Sequence, residues 1–378
     1  MAIYSVILAT GSYTSGRTIS TEDLVKNTVF YDKEGKVEQV DVEKSKTTIG
    51  VNYRLWAHDN EGVDDLGAIA LNNCFESSFI KREEIDRIIV ARNTGEDIPN
   101  ISSKIAAKTG FKESIFFDVV CGCQGWCYAL DVADALIKSE KARKVAVVGA
   151  EILSRIRGRN KDSLLFSDGA GAVILGDFEN AYPTGIIASY LNGDSTLNQT
   201  LKMSDRWGPI NKVDDSDYAV KRDLDMDAYA VYEKAKSVIP ETYFQLLKLA
   251  NIKNEKVKLI LKHQASEKIL SKSSLAEIQT IDPKLIKYRE YLEQYRRNKV
   301  PKSLHYLGNN SVATIPLLLD LILKKKVDNP NLEGLLKDLE GYSIKEDDIF
   351  AVISVGAGIG WGGQLIKMNP FYWDYLKD

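Results

Sequence analysis

The stretch Phe116-Phe-Asp-Val-Val-Cys-Gly-Cys-Gln-Gly-Trp126 decides the reading of this chain. An apolar run breaks into small residues and a cysteine, and an apolar-periodic segment follows. The pattern predicts a buried strand ending near Val120, a tight turn through Gly122 and a helix opening at or near Cys123. A thiol there faces the unpaired N–H groups and the positive dipole end of the helix, which favour thiolate over thiol. On this local pattern Cys123 is as readily a small buried hydrophobe as a nucleophile able to take an acyl group from a thioester. Cys121 and Cys127 are assigned to packing. A metal reading of Cys-x-Cys-x3-Cys lacks a fourth ligand at finger-like spacing, so no metal is expected.

Working outward, Trp126, Leu130, Ala133 and Ile137 fall on one helical stripe. Strands are expected at Ala2–Thr10, Ile85–Ala91, Ile115–Val120 and Lys144–Ala150, and helices at Ser20–Thr28, Val63–Phe75 and Ser102–Thr109. The second half repeats the plan. A helix over Lys236–Ala250 precedes a strand over Val257–Lys262 that ends in His263-Gln-Ala-Ser266. Gly308-Asn-Asn-Ser311 leads into the helix Leu317–Leu323, and a strand over Ile349–Val355 ends in Gly356-Ala-Gly-Ile-Gly360. Arg87–Ala91 thus corresponds to Val257–Lys262, the Cys123 helix to the Asn309 helix, and Val147–Ala150 to Ser354–Ala357. This is a repeat at half-chain scale, dividing the chain into halves 1–185 and 186–378 of an α/β fold with helices on both sheet faces. Two polar stretches, Gly193–Asp225 and Ser266–Lys302, interrupt the repeat as lids or docking surfaces. The second reads equally as a solvated helix without a role.

The 378 residues can hold two ordinary domains or one large body, with 44% apolar and 27% charged residues. A net charge of -3 and a pI near 5.9, without a long basic run, argue against nucleic acid. No apolar run reaches the roughly 18 residues of a membrane span. The N-terminal apolar run lacks a positive n-region and reads as a strand. Four cysteines, three of them within seven residues, suit a reducing compartment and a cytoplasmic protein rather than a disulfide scaffold.

His263 ends a buried strand at the carboxyl edge of a sheet, where open α/β sheets bind ligands. It is either a donor or base, or a hydrogen-bonded interior histidine. His58 and His305 lack that setting, although His305 lies near the next motif as a possible supporting residue. Asn309 is either a turn and cap residue or an amide donor aimed at the cleft that receives Cys123. Gly356–Gly360 lacks the helix and distal acid of a nucleotide fingerprint. Its glycines would instead let a backbone N–H approach a reacting carbonyl.

Together these blocks resemble a ketosynthase III-type condensing enzyme of the thiolase superfamily. Cys123-Gln-Gly-Trp126 is similar to the family's Cys-Ala-Gly-Phe turn. Ser167-Asp-Gly-Ala-Gly-Ala172, His263-Gln-Ala-Ser266, Gly308–Pro316 and Gly356–Gly362 match in order along most of the chain. The resemblance implies a thiolase-like αβαβα layered fold of two similar halves and a homodimer. It implies a catalytic Cys123, His263 and Asn309, with the Cys123 and Gly358 backbone N–H groups as oxyanion hole. It also implies acyl-CoA or acyl-carrier-protein thioesters as substrates and partners, with no separate cofactor.

Some positions depart from the family form. Gln124 and Trp126 replace smaller or different residues beside the nucleophile, Ser266 stands where Asn is frequent, and Asn310 where Thr is frequent. The family's adenine-stacking Trp is not evident before Ile49-Gly-Val-Asn-Tyr-Arg54, although Arg54 matches a basic position there. Gln124, Trp126 and Arg54 are therefore the expected substrate-binding residues. The departures suggest a specialised ketosynthase joining longer or aromatic acyl groups, like the dialkylresorcinol- or quinolone-forming relatives, with possible cyclisation of the product. The alternatives are a non-decarboxylating condenser of the 3-hydroxy-3-methylglutaryl or head-to-head olefin type, with Glu96 or Asp97 as its extra carboxylate, and a non-enzymatic scaffold that binds acyl thioesters.

Overall fold

The computed structural model describes residues 1–32, 36–155, 161–205, 222–281 and 289–377. The apolar runs of the sequence form two mixed sheets. The first contains β1 (Ala2–Tyr13), β2 (Arg87–Ala91), β3 (Ile115–Val119), β4 (Lys144–Glu151) and β5 (Gly169–Asn180) in the order β1-β5-β4-β2-β3. The second contains β6 (Gly185–Gly193), β7 (Val257–Lys262), β8 (Ile349–Gly356) and β9 (Gly360–Lys367) in the order β6-β9-β8-β7. The β2–β4 and β7–β8 pairs are parallel, while β5 and β9 run antiparallel to both neighbours. Strand order and sense are thus shared by four strands of each sheet, and β3 has no counterpart among the described residues of the second.

Helices α1 (Val63–Glu76), α2 (Gly125–Lys138), α3 (Ala228–Ala250), α4 (Glu267–Ile281), α5 (Arg289–Lys299) and α6 (Thr314–Lys324) complete the layers. α1 covers the outer face of the first sheet and α3 that of the second. α2 and α6 lie between the sheets, and each touches strands of both. That sandwiching explains their sequences. On α2 the predicted stripe is buried, but so are Cys127, Ala129 and Asp134 on other faces, and α6 is buried continuously from Thr314 to Ile322. The result is the expected five-layered αβαβα arrangement.

One carboxylate inside this middle layer, Asp320, is fully provided with partners. It accepts from the Thr10 hydroxyl at 2.7 Å and the Ser12 hydroxyl at 2.6 Å, and pairs with Lys324 at 3.0 Å. Buried polar groups of this kind cost little only when so satisfied.

The structure departs from the sequence reading at the inserted stretches. α3 begins eight residues before Lys236, because Asp227 caps it by accepting from the Tyr229 and Ala230 N–H groups at 3.1 and 3.0 Å. Within Gly193–Asp225 the strand Leu201–Asp205 pairs with Arg222–Met226, and Trp207-Gly-Pro209 lies outside the described residues. Within Ser266–Lys302, α5 is tied down rather than freely solvated. Arg296 donates to Glu267 at 2.9 Å and to Ser271 at 2.6 Å, and Tyr295 is buried. The α4 residue Glu277 pairs with Lys262 of β7 at 2.6 Å, with both side chains fully buried. The Lys262 ammonium also donates to the Ser273 and Ser274 hydroxyls. Among the described residues no helix is long and apolar enough to cross a membrane.

Gly11 of β1 faces α1 so closely that a Cβ there would overlap the Ala70 carbonyl and sit 2.8 Å from the Cys74 nitrogen. Gly11→Ala must push β1 and α1 apart, with an expected loss of about 1–3 kcal/mol. Urea unfolding of the variant measures this, and unchanged stability would refute the tight contact.

Candidate active site

Cys123 sits at the turn between β3 and α2, one residue before the helix N-cap Gln124. Gly122 adopts φ +66°, a conformation that glycine permits, and its carbonyl accepts the Gly125 N–H at 3.0 Å. The turn is gripped from both halves. The Asn93 side-chain oxygen, beyond the end of β2, accepts the Gly122 N–H at 2.8 Å, and the Ser354 hydroxyl of β8 donates to the Cys123 carbonyl at 2.9 Å. Gly356, at the end of β8, comes against the turn directly: a Cβ there would overlap the Cys123 nitrogen and lie 3.1 Å from its Cα.

Asn309 lies in the turn before α6. Its backbone bridges to Phe166: Asn309 N–H donates to the Leu165 carbonyl and Ser167 N–H to the Asn309 carbonyl, both at 3.0 Å. Its side-chain oxygen accepts the Ser311 N–H at 2.8 Å, and its amide donates to the Ala265 carbonyl at a long 3.4 Å. That last bond ties it to the loop carrying His263. Gln264 reinforces the tie, accepting from the Ser303 and Leu304 N–H groups at 3.1 and 3.3 Å. The Ser311 hydroxyl donates to Cys123 Sγ at 3.3 Å. The thiol, the Asn309 amide and the His263 loop are thus brought together through the Ser311 turn. Gly358 lies in the adjoining turn with φ +109° and open space where a Cβ would project.

Burial sets the protonation states. It pushes the Cys123 thiol up to about 12; the Ser311 hydrogen bond opposes this and the negative charge of Glu151 adds to it. Against the thiolate expected at the helix end, burial favours the thiol. Burial likewise holds His263 down to about 3, so its imidazole is neutral, and its Nδ1 is buried without a hydrogen-bond partner.

Three expected substrate contacts also need correction. Arg54 is 0% exposed, and its guanidinium donates to the Ser20 carbonyl, the Thr21 hydroxyl and the Leu164 carbonyl, so it pins loops together instead of facing a ligand. Trp126 is buried and packs near Gly149. Gln124 is buried and donates to the Ala357 carbonyl at 3.0 Å, which braces the Cys123 turn against the glycine turn. Asn310 is structural too, bonding the Asp168 and Leu307 carbonyls. His305 pairs with Glu267 at 3.6 Å in a cleft of about 530 Å³ also lined by Glu22, Glu43, Lys46 and Tyr53. Glu96 and Asp97 are engaged with Lys104 and Arg92. No group of three or more His, Cys, Asp or Glu side chains among the described residues is placed to hold a metal ion.

Three residues not singled out in the sequence complete the site. Ser311 holds φ +51°, a left-handed conformation that costs about 1–2 kcal/mol for a residue with a Cβ. The Asn93 amide donates to Ser311 Oγ at 3.1 Å and to Glu151 at 2.6 Å. Glu151, at the end of β4, is fully buried and also accepts from the Thr94 N–H and hydroxyl at 3.1 and 2.6 Å. Ser311 was visible inside the Gly308-Asn-Asn-Ser311 block, and Glu151 as a carboxylate closing a buried strand. Asn93 carried no local signal beyond its place after β2.

Comparison with known proteins gives a consistent family. Residues 117–195 match the family described as 3-oxoacyl-[acyl-carrier-protein (ACP)] synthase III. The beta-ketoacyl-[acyl-carrier-protein] synthase III of Clostridium acetobutylicum is 30% identical over 368 residues, covering 96% of this chain and 98% of that protein. That of Caldanaerobacter subterraneus subsp. tengcongensis is 29% identical over 370 residues, covering 96% and 97%. The crystal structure of the Thermus thermophilus synthase III superposes with a TM-score of 0.75 at 28% identity, over 97% of this chain and 99% of that one.

The depressed His263 pKa has a measurable sign. As pH falls below about 6.5 the unfolded chain takes up this proton and the folded chain does not. Stability should therefore drop by roughly 1 kcal/mol per pH unit from this group, down to about pH 3. The His263 imidazole NMR resonances should not move between pH 8 and 5. A titration midpoint near 6.5 would contradict the buried neutral ring.

Proposed function

Because the chain belongs to the 3-oxoacyl-[acyl-carrier-protein] synthase III family, we propose that it is an acyltransferase joining two acyl thioesters by Claisen-type condensation through an acyl-enzyme on Cys123. The observation that carries this is the meeting of one thiol, one neutral imidazole loop and one side-chain amide around the Ser311 turn. Cys123 attacks the first thioester, and the Cys123 and Gly358 N–H groups receive the oxyanion. The second thioester carbonyl lies between His263 and Asn309, and neutral donors there stabilise the developing enolate without holding a fixed charge. The long Asn309–Ala265 bond is one that a substrate oxygen can displace.

The halves 1–185 and 186–378 divide this work, the first supplying the thiol and the second the imidazole and amide; the shared strand order supports that division. Acyl-CoA and acyl-carrier-protein thioesters are the donors in this reading, the names of the relatives specifying the carrier protein for themselves. The specialised reading, with longer or aromatic acyl groups, rests on the departures at Gln124, Trp126, Ser266 and Asn310. Gln124 and Trp126 act on it only through the frame of the Cys123 turn. One observation favours a non-decarboxylating second reading: a carboxylate, Glu151, stands behind the nucleophile.

A homodimer is part of the proposal. β3 is an edge strand with Ile115 and Phe116 exposed, and exposed Val120 follows it. Ile98, 92% exposed, projects from the adjoining loop held by the Arg92–Asp97 pair. An apolar edge of this kind pairs readily with a second copy. Phe116→Glu should shift the protein toward monomer in sedimentation velocity, and an unchanged species would remove β3 from the interface.

The chemistry is tested by intact mass after incubation with a panel of acyl-CoA thioesters. The parent protein should gain one acyl group and Cys123→Ala none; a variant that still becomes acylated would sink the covalent step. Carbon dioxide released from a malonyl thioester during product formation selects the decarboxylative reading, and product without it selects the second.

A further inference from the structure

The Gln124 side chain does more than join two turns, because of which carbonyl it holds. Its Nε2 donates to the Ala357 carbonyl at 3.0 Å. That oxygen belongs to the same planar peptide unit as the Gly358 N–H, and in a trans peptide the two point in opposite directions. Whatever fixes the Ala357 carbonyl therefore fixes the Gly358 N–H. Glycine alone does not fix it. Gly358 holds φ +109°, and turning the Ala357–Gly358 peptide over takes that angle to the negative side, which is equally open to glycine. The carbonyl and the N–H then reverse together, and the bond to Gln124 is lost. Gln124 is itself held in a slot. A Cβ at Gly356 would overlap its Oε1, and a Cβ at Gly360 would lie 2.6 Å from its Nε2. These two glycines face each other at the end of the β8–β9 ladder. The Gln124 Oε1 is buried without a hydrogen-bond partner among the described residues. An apolar side chain in that slot would avoid the cost of the orphaned oxygen, so what Gln124 contributes there is its donor.

Resting on the acyl-enzyme reading above, we propose that Gln124 is a positioning residue for the oxyanion hole: its amide holds the Ala357–Gly358 peptide in the orientation that turns the Gly358 N–H to the acyl oxygen on Cys123. Gln124 follows Cys123 directly, so one turn supplies the nucleophile, the first N–H donor and the clamp on the second. The same bond draws charge onto the Ala357 oxygen, which leaves the N–H of that peptide a better donor. Both effects act where the thioester carbonyl becomes an oxyanion. Neither acts on a reaction of the sulfur that builds no oxyanion, and Gln124 itself touches no reacting atom.

The test follows two reactions of the same sulfur in the parent, Gln124→Met and Gln124→Leu. Acylation by octanoyl-CoA, read by intact mass over a range of concentrations, passes through an oxyanion. Alkylation by iodoacetamide, assigned against Cys123→Ala, displaces iodide at a saturated carbon and needs no oxyanion donor. Both variants should slow acylation at saturation by about tenfold or more, short of the roughly 100- to 1,000-fold lost when an oxyanion donor is removed outright. The half-saturating octanoyl-CoA concentration and the alkylation rate should stay within about twofold of the parent. Gly358→Ala has open space for its methyl group but disfavours the positive φ, so it should slow acylation too. Combining it with Gln124→Met should be no slower than the slower single variant, because both release one peptide. Acylation of both Gln124 variants at the parent rate, acylation and alkylation falling together, or a combined variant losing the product of the two single effects would overturn the assignment. If the parent itself takes no acyl group, the functional reading fails separately. Crystal structures of the parent and Gln124→Met then decide the clamp: an Ala357 carbonyl turned over in the variant retains it, and an unmoved one rejects it.

Discussion

Backbone against backbone, with no side chain between, is the constraint on which this site depends. Gly356 at the end of β8 lies against the Cys123 turn, and Gly149 near the end of β4 lies against the turn that follows Ser311. Each strand belongs to a different sheet, and each glycine admits a turn contributed from the other half of the chain. A methyl group at either position would drive the turns apart by more than the slack in a 3.3 Å contact between Ser311 and Cys123. The middle helices α2 and α6 set the same distance from below, since both are held between the sheets and carry the two turns at their N-terminal ends.

Desolvation then governs the electrostatics. The same burial keeps a proton on the thiol and takes one off the imidazole, so both side chains rest neutral. A neutral ring suits the stabilisation of an oxyanion by hydrogen bonding. It does not suit the removal of a proton from sulfur. The buried carboxyl group of Glu151, whose pKa burial raises, keeps hydrogen bonds from Asn93 and Thr94.

The layers were legible because their signals are periodic. Fully apolar runs such as Val145–Val148 read as strands buried on both faces, and the order of blocks exposed the repeat. Cys123, His263 and Asn309 were legible because each follows a strand or precedes a helix at a recognisable break. Side-chain direction was not. Arg54 reads as a surface cation in sequence, yet its guanidinium is consumed by two carbonyls and a hydroxyl that only the tertiary fold brings together. Trp126 carries the same lesson: a residue beside the nucleophile in sequence is buried close to Gly149 of β4. Asn93 was invisible because its partners lie 29, 58 and 218 residues away.

The buried pair of Lys262 and Glu277 has a consequence for how this chain can change over generations. Both charges are wholly out of water at 2.6 Å, beside the residue that carries the imidazole. Losing either partner alone strands the other charge, at a penalty of about 3–5 kcal/mol, whereas an apolar pair of similar volume is close to neutral. The two positions are therefore locked as a genetic unit. A lineage can cross from the charged pair to an apolar one only by passing through a poorly folded ancestor or by changing both codons together, and the helix behind His263 inherits that rigidity.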